Sequence, residues 1–250
     1  MAVFETLPIP DFADLAILLD IDGTILDIAP TPETVAVPAS LPETLTRLCT
    51  LTGGAVALVS GRSLRDLDQL FAPLQLPAVA GHGAEFRPLP GAAPDPRPEL
   101  DPALKRKFEA LTALGSGITI EDKGYAIALH YRLAPDKEPL LRDAVANLCA
   151  NEPAVEIMPG KYVLEVKMSG FNKATGVRNL MKRPPFAGRR PIFIGDDITD
   201  EYVFKIMPEF GGLAFSVGDA VGGGDRHFEG PGAVRDWLAS IAGMKEDAAQ

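Results

Sequence analysis

One stretch constrains this chain more than any other: Ala16-Ile17-Leu18-Leu19-Asp20-Ile21-Asp22-Gly23-Thr24. An unbroken apolar run leads into Asp20, skips one position to Asp22, and meets a Gly-Thr pair that breaks the extended pattern. Successive side chains on a strand alternate between faces, so Asp20 and Asp22 are expected on the same side. A buried carboxylate is too costly to keep charged without a counter-charge or hydrogen bonds. Two of them leaving one strand end call for a cation, a proton, or both.

Strand and helix patterns alternate around this stretch. Asp27 to Pro42, rich in Pro and Thr, reads as an extended loop over the site. Leu41, Leu45 and Leu48 recur at helical spacing and Gly53-Gly54 ends that helix. Ala55 to Val59 is the next strand, running into Ser60-Gly61-Arg62-Ser63; Leu64, Leu67, Leu70 and Phe71 form a helix stopped by Pro73; Pro77 to Ala80 is a third strand. This is the order of parallel crossover units. The pattern changes from Glu85. Pro88 to Pro102 is a proline-rich linker, and beyond it helical faces at Leu104, Phe108 and Leu111 and at Leu140 to Leu148 alternate with strand-like segments. Those segments, Ile118 to Asp122, Tyr125 to Arg132, Val155 to Met158 and Tyr162 to Lys167, read as a small antiparallel α+β unit. The parallel pattern resumes with a helix at Lys173, a buried strand at Ile192 to Ile194 running into Gly195-Asp196-Asp197-Ile198-Thr199-Asp200-Glu201, a helix at Tyr202 to Ile206, a strand at Leu213 to Val217 and a last helix around Trp237. The expected organisation is an α/β core of residues 1–86 and 168–250 with an inserted α+β domain at 87–167, ending in a polar, frayed tail after Met244.

With 250 residues, 46% of them apolar, the chain can bury the cores this arrangement needs. Its formal charge of -10 and pI near 4.8 oppose nucleic acid or an anionic membrane surface as partner, since both reward clustered Lys and Arg. Cys49 and Cys149 sit in helical patterns and read as buried thiols in a reducing compartment, which makes the cytoplasm the expected location. Neither a leader pattern at the N-terminus nor an apolar run of about 18 residues is present, so export and anchoring are not expected.

In a parallel sheet, ligands bind outside the carboxyl ends of the strands. Asp20, Asp22, Ser60 and Asp196 all lie there. Converging carboxylates suit a hard cation, and Mg²⁺ favours a few oxygens together with a substrate phosphate. Lys173, at the start of a helix, then supplies the charge that attracts a phosphate dianion, worth on the order of 4 kcal/mol at about 4 Å. Asp20 is expected to attack phosphorus, giving an aspartyl-phosphate, and Asp22 to carry the proton. Ser60 and the amides of Gly23 and Thr24 are expected to hold phosphate oxygens.

Asp-Ile-Asp-Gly-Thr, Ser60, Lys173 and Gly-Asp-Asp-Ile-Thr-Asp-Glu resemble, in this order, the motifs of the haloacid-dehalogenase-type phosphohydrolases. Val59-Ser60-Gly61-Arg62, Gly81-His82-Gly83-Ala84-Glu85 and Ala128-Leu129-His130-Tyr131-Arg132 are similar to the trehalose-6-phosphate phosphatases among them, and the similarity runs from Leu15 to Trp237. The resemblance implies a Rossmann-like doubly wound core with a cap that reads the sugar. It implies a metal site drawn from Asp20, Asp22 through its carbonyl, Asp196 and Asp200, the last orienting Lys173 or a metal-bound water, and Gly61 beside the phosphate. On the cap it brings forward Glu121, Lys123, Lys161 and Glu165, with Glu121 and Lys123 on one strand face and Lys161 and Glu165 on another. Arg62, His82, Glu85 and Arg132 are further candidates for substrate contact. For Arg62 and Arg132 simple ion pairing is the alternative, and for His82 and His130 a structural hydrogen bond. Asn172-Lys173-Ala174 departs from the family's Ser-Lys-Gly, which bears on close backbone approach at position 174. A phosphatase of another sugar phosphate is the neighbouring reading, and a phospho-acceptor signalling module a more distant one that Asp22 and the insert oppose.

Overall fold

Every residue of strand β1 (Leu15–Leu19) is buried, because helices cover both of its faces. The computed structural model describes residues 11–29, 34–96, 99–219 and 221–244. β1 lies between β2 (Val56–Val59) and β9 (Arg190–Gly195), pairing in parallel with each. β3 (Ala78–Ala80) and β4 (Glu85–Arg87) extend the sheet beyond β2, and β10 (Leu213–Val217) and β11 (Arg226–Phe228) extend it beyond β9, giving the order β11-β10-β9-β1-β2-β3-β4. Among the described pairings of this sheet, only β3–β4 is antiparallel. The chain leaves β1 toward β2 and returns to its other side as β9, so the crevice for a ligand opens at the carboxyl end of β1.

The alternation along β1 sorts its side chains between two layers. Leu15, Ile17 and Leu19 pack with α1 (Leu41–Leu51), α2 (Leu64–Leu70) and α7 (Pro231–Ile241). Ala16 and Leu18 join α5 (Lys173–Leu180) and α6 (Ile198–Phe204). Fully burying each Leu or Ile contributes about 1.5–3 kcal/mol, so a polar residue at any of these positions would oppose the whole layer.

Two compact units divide the chain, one of Met1–Asp95 with Asn172–Gln250 and one of Pro96–Phe171. The second has an antiparallel sheet of β5 (Thr119–Asp122), β6 (Ala126–His130), β8 (Val163–Met168) and β7 (Val155–Gly160), in that spatial order. Leu104 and Phe108 of α3 (Pro102–Glu109) and Leu141 and Val145 of α4 (Glu138–Cys149) pack with Ile127, Leu129, Leu164 and Val166 of the sheet. The unit boundaries fall later than the 86/87 and 167/168 junctions expected from sequence. β4 keeps residues 85–87 in the main sheet, the Asp95 N–H donates to the Phe86 carbonyl at 2.8 Å, and Asp95 pairs with Arg183 at 2.7 Å.

β4 and β11 have three residues each, too few to leave an alternating signature. α6 begins at Ile198, ahead of the expected Tyr202, because Asp197 caps it and Asp200 completes a capping box. Residues 27–29 and 35–38 form no helix or strand, in keeping with the expected loop. Its middle, 30–33, lies outside the described residues, as do residues 97 and 98 of the linker, the N-terminal ten read for a leader, and the expected frayed tail from 245. Among the described residues no helix is long and apolar enough to cross a membrane.

Candidate active site

Asp20 continues the even-numbered face of β1, the face covered by α5 and α6, and both helices start beside it. α5 is capped by Asn172, whose side chain accepts from the Thr175 N–H. Its first residue, Lys173, reaches back with Nζ 2.7 Å from Asp20 Oδ1 and 2.7 Å from Asp200 Oδ1. Asp200, in the first turn of α6, uses its other oxygen to accept from the N–H groups of Asp196 and Asp197 at 3.1 and 3.0 Å. The Lys173, Asp20 and Asp200 side chains are 4%, 6% and 0% exposed, so the trio is dry and its charges are weakly screened.

Asp196 completes the cluster. One oxygen from each of Asp20, Asp196 and Asp200 lies within 4.8 Å of the others. The Thr24 hydroxyl donates to Asp196 Oδ1 at 2.9 Å, with Asp20 Oδ2 3.4 Å away. Gly23, at φ +80°, lets the turn pass under Asp196: a β-carbon there would lie 2.1 Å from Asp196 Oδ2. Burial, then the negative charge of Asp20, pushes the Asp196 carboxyl up to about 7. The same two causes push Asp200 up to about 6 against the opposing pull of Lys173. Burial alone would lower the Lys173 pKa, but the charges of Asp20 and Asp200 and their hydrogen bonds outweigh it and hold the ammonium above the ordinary lysine range. Three carboxylates facing one ammonium leave an excess of negative charge, and a hard divalent cation fits this all-oxygen donor set.

Asp22 departs from the sequence expectation. β1 ends at Leu19 and the following residues form a turn in which Asp22 bridges to Leu26, so the alternation that would aim Asp22 beside Asp20 does not extend that far. Its carboxylate instead accepts from Arg62 Nε at 2.7 Å and Nη2 at 2.6 Å, and it is not part of the three-carboxylate group. The phosphate-binding expectations also change. The Gly23 N–H donates to the Leu26 carbonyl at 2.8 Å and the Thr24 N–H to the Ile21 carbonyl at 3.3 Å, so the turn itself engages both amides. Ser60, at the end of β2 and 2% exposed, accepts the Arg62 N–H at 3.1 Å and keeps its own hydroxyl proton to donate. Gly61 follows it, lying against the His82 ring.

Three of the residues expected at the substrate have partners within the protein. Arg62 forks onto Asp22. His82 occupies a left-handed position at φ 52°, and its N–H donates to the Ser60 carbonyl at 3.2 Å. Glu85 accepts the Leu64 N–H at 2.7 Å, at the start of α2.

On the second unit, register places Glu121, Ala128, Glu165 and Met158 in one row across the sheet. Glu165 Oε2 accepts from Lys123 Nζ at 2.7 Å, while its Oε1 is buried with no hydrogen-bond partner among the described residues. Glu121 lies 3.2 Å from His130. The Arg132 guanidinium lies 5.7 Å from the centre of the Tyr162 ring. Lys161 is not on the strand with Glu165: β7 ends at Gly160 and β8 begins at Val163, so Lys161 is exposed in the hairpin turn, where four-residue spacing does not mean a shared face.

The sequence reading did not anticipate Asn172 and Asp197 as helix caps or Thr24 as the hydroxyl joining two carboxylates. The caps carry a readable signal, a polar residue three positions before another that can return the hydrogen bond. The Thr24 contact joins positions 172 residues apart and has no local signal.

A sequence model of the family described as trehalose-phosphatase matches residues 18–230. A probable trehalose-phosphate phosphatase of Sinorhizobium fredii is 45% identical over 213 residues, covering 84% of this chain and 80% of that protein. The trehalose-6-phosphate phosphatase of Escherichia coli is 35% identical over 234 residues, covering 92% and 87%. Among solved structures, a trehalose-6-phosphate phosphatase related protein superposes with a TM-score of 0.71 at 25% identity, covering 92% of this chain and 97% of that one. With a family match across most of its length and two relatives of this similarity, the chain belongs to the trehalose-phosphatase family.

Proposed function

We propose that the chain is a Mg²⁺-dependent phosphatase releasing trehalose and phosphate from trehalose 6-phosphate, acting in the cytoplasm. The observation that carries this reading is the Lys173 ammonium shared between Asp20 and Asp200, with Asp196 alongside: a buried carboxylate held in place at a strand end next to a site for a cation. Asp20 and Asp196, with the Asp22 carbonyl, are the groups we assign to the metal. Asp200 has both oxygens engaged and is assigned to orienting Lys173. When bound, Mg²⁺ would supply the positive charge that draws the phosphate and stabilises the charge developing on its oxygens.

In this mechanism Asp20 attacks phosphorus, forming an Asp20–phosphorus bond as the bond from phosphorus to the sugar oxygen breaks. A protonated Asp22 gives its proton to that oxygen. Water then attacks phosphorus, Asp22 takes the proton back, and the Asp20–phosphorus bond breaks to release phosphate. Lys173 and the Ser60 hydroxyl, with the amide of Gly61, are assigned to the phosphate oxygens. The second unit is assigned to the sugar: Lys123 and Glu121 offer a donor and an acceptor, and the unpartnered Glu165 Oε1 is an acceptor that a sugar hydroxyl would satisfy.

The test is phosphate release from a panel of phosphorylated sugars, with Mg²⁺ and with chelator. The expected result is turnover of trehalose 6-phosphate above the other esters, lost on chelation. No phosphate from that ester in Mg²⁺ would refute the reading.

A further inference from the structure

Arg62 is built into the fold more firmly than a surface ion pair requires. Its N–H donates to Ser60 Oγ at 3.1 Å and its carbonyl accepts the Gly81 N–H at 2.7 Å, so the backbone is tied on both sides. The preceding Gly61 admits the His82 ring: a β-carbon at 61 would lie 2.5 Å from its atoms. That ring is carried on a turn in which Gly81, His82 and Gly83 all have positive φ, at 55°, 52° and 98°. Backbone strain of this kind persists only where the surroundings over-determine it.

What this construction presents is a guanidinium fork aimed at Asp22. Nε donates to one carboxylate oxygen at 2.7 Å and Nη2 to the other at 2.6 Å, and the Arg62 side chain is only 13% exposed. A bidentate pair fixes the plane of the carboxylate as well as its position. Asp22 occupies the Nε/Nη2 edge of the guanidinium.

We propose that Arg62 is a positioning residue acting through Asp22: it sets the place and angle of that carboxyl group relative to the oxygen leaving phosphorus, and neither the sugar nor the phosphate is its partner. The proposal rests on the assignment of Asp22 as the proton carrier. Proton transfer depends steeply on placement, and a displacement of about 1 Å can cost about a hundredfold. Lysine retains the charge without the fork and would leave the carboxyl free to turn.

The experiment combines Arg62→Met and Arg62→Lys with Asp22→Asn, in the full chain, on two esters. Trehalose 6-phosphate needs its sugar oxygen protonated as it leaves; p-nitrophenyl phosphate releases a stable phenolate and does not, so the two are compared in the single-turnover release of trehalose and of nitrophenolate, a step that precedes the action of Asp22 on water. Arg62→Met is expected to slow this release from the sugar ester by about 30- to 100-fold, with the half-saturating concentration little changed, and from the aryl ester by less than about threefold. Arg62→Lys is expected to recover only part of the loss, and it keeps the test alive if the Met variant does not fold. In the Asp22→Asn background the Arg62 substitution is expected to add less than about twofold. Equal losses on both esters, a rise in the half-saturating concentration alone, or full additivity with Asp22→Asn would overturn the proposal. If Asp22→Asn itself changes nothing, the assignment of Asp22 fails, and with it the proposal. An inactive wild-type chain would instead refute the function.

Discussion

Asp200 holds Lys173 by one oxygen, 2.7 Å away, while its other oxygen accepts two backbone N–H groups from the residues just ahead of its own helix. This division has a direct consequence. Asn in place of Asp200 keeps the shape but must turn its NH₂ either toward the Lys173 ammonium or toward the two N–H donors, and either way donors face each other. An unsatisfied or opposed buried polar group costs about 1–3 kcal/mol. Asp200→Asn is expected to lower the melting temperature and reduce phosphate release by about a hundredfold, through a misplaced ammonium. Turnover within about twofold of wild type would show that Lys173 needs no such support.

Asp20 has the partners of a structural carboxylate and, in the proposed mechanism, the work of a nucleophile. The two roles separate in Asp20→Asn. The amide still offers Lys173 an acceptor oxygen, so the protein is expected to stay folded by circular dichroism. No aspartyl-phosphate can form, so release of inorganic phosphate should fall to background with every ester. Residual turnover that scales with enzyme concentration would place the nucleophile elsewhere.

Much of this is legible in the sequence. The continuous apolar run at Leu15 to Leu19 reads as a strand buried on both faces, and the acidic strand ends mark one edge of the sheet as the site. The fate of Asp22 was not legible, since alternation holds only while the backbone stays extended, and β1 stops at Leu19. Arg62, His82 and Glu85 stand out as motif residues, but whether such a residue faces a ligand or its own scaffold depends on contacts that span the chain. Ala174 illustrates the same limit. The close approach on α5 falls two residues later, where a β-carbon on Gly176 would lie 2.3 Å from Val79 Cγ1.

Gly83 is the tightest point of the turn that carries His82. It sits at φ +98°, and a β-carbon there would lie 2.3 Å from the Asn172 carbonyl oxygen. Alanine at this position meets both a forbidden backbone conformation and a backbone atom that cannot move aside without shifting the α5 cap. Gly83→Ala is expected to destabilise the protein by about 3 kcal/mol in urea unfolding. An unchanged midpoint would mean that the turn relaxes freely.

The acidic cluster makes stability depend on pH when no metal is bound. Asp196 is pushed up to about 7 and Asp200 up to about 6 from an ordinary 3.8. Between those values and 3.8 the folded chain holds protons that the unfolded chain has released, so stability falls as pH rises through this window. Chelated protein is therefore expected to melt lower at pH 8 than at pH 5. Mg²⁺ at pH 8 should reverse the loss, adding about 2.7 kcal/mol at a hundredfold excess over its Kd. Chelated protein that melts no lower at pH 8, or is indifferent to Mg²⁺ there, would contradict the cluster as a cation site.

Glu165 lies on the sheet of the second unit, 2.7 Å from Lys123 in the turn after β5, and still has a buried oxygen without a partner among the described residues. A ligand hydroxyl that donates to this oxygen removes a desolvation cost of about 1–3 kcal/mol. That gain is available only to a substrate that carries such a hydroxyl. Glu165→Gln keeps the size and one acceptor but can place its amide NH₂ where the hydroxyl must donate. It is expected to raise KM for trehalose 6-phosphate by about ten- to a hundredfold, and to leave p-nitrophenyl phosphate, which has no sugar, within about twofold. Parallel losses on the two esters would mean that Glu165 supports the protein and does not recognise the sugar. A change confined to the disaccharide would assign substrate choice to this sheet and leave the Asp20 chemistry common to both esters.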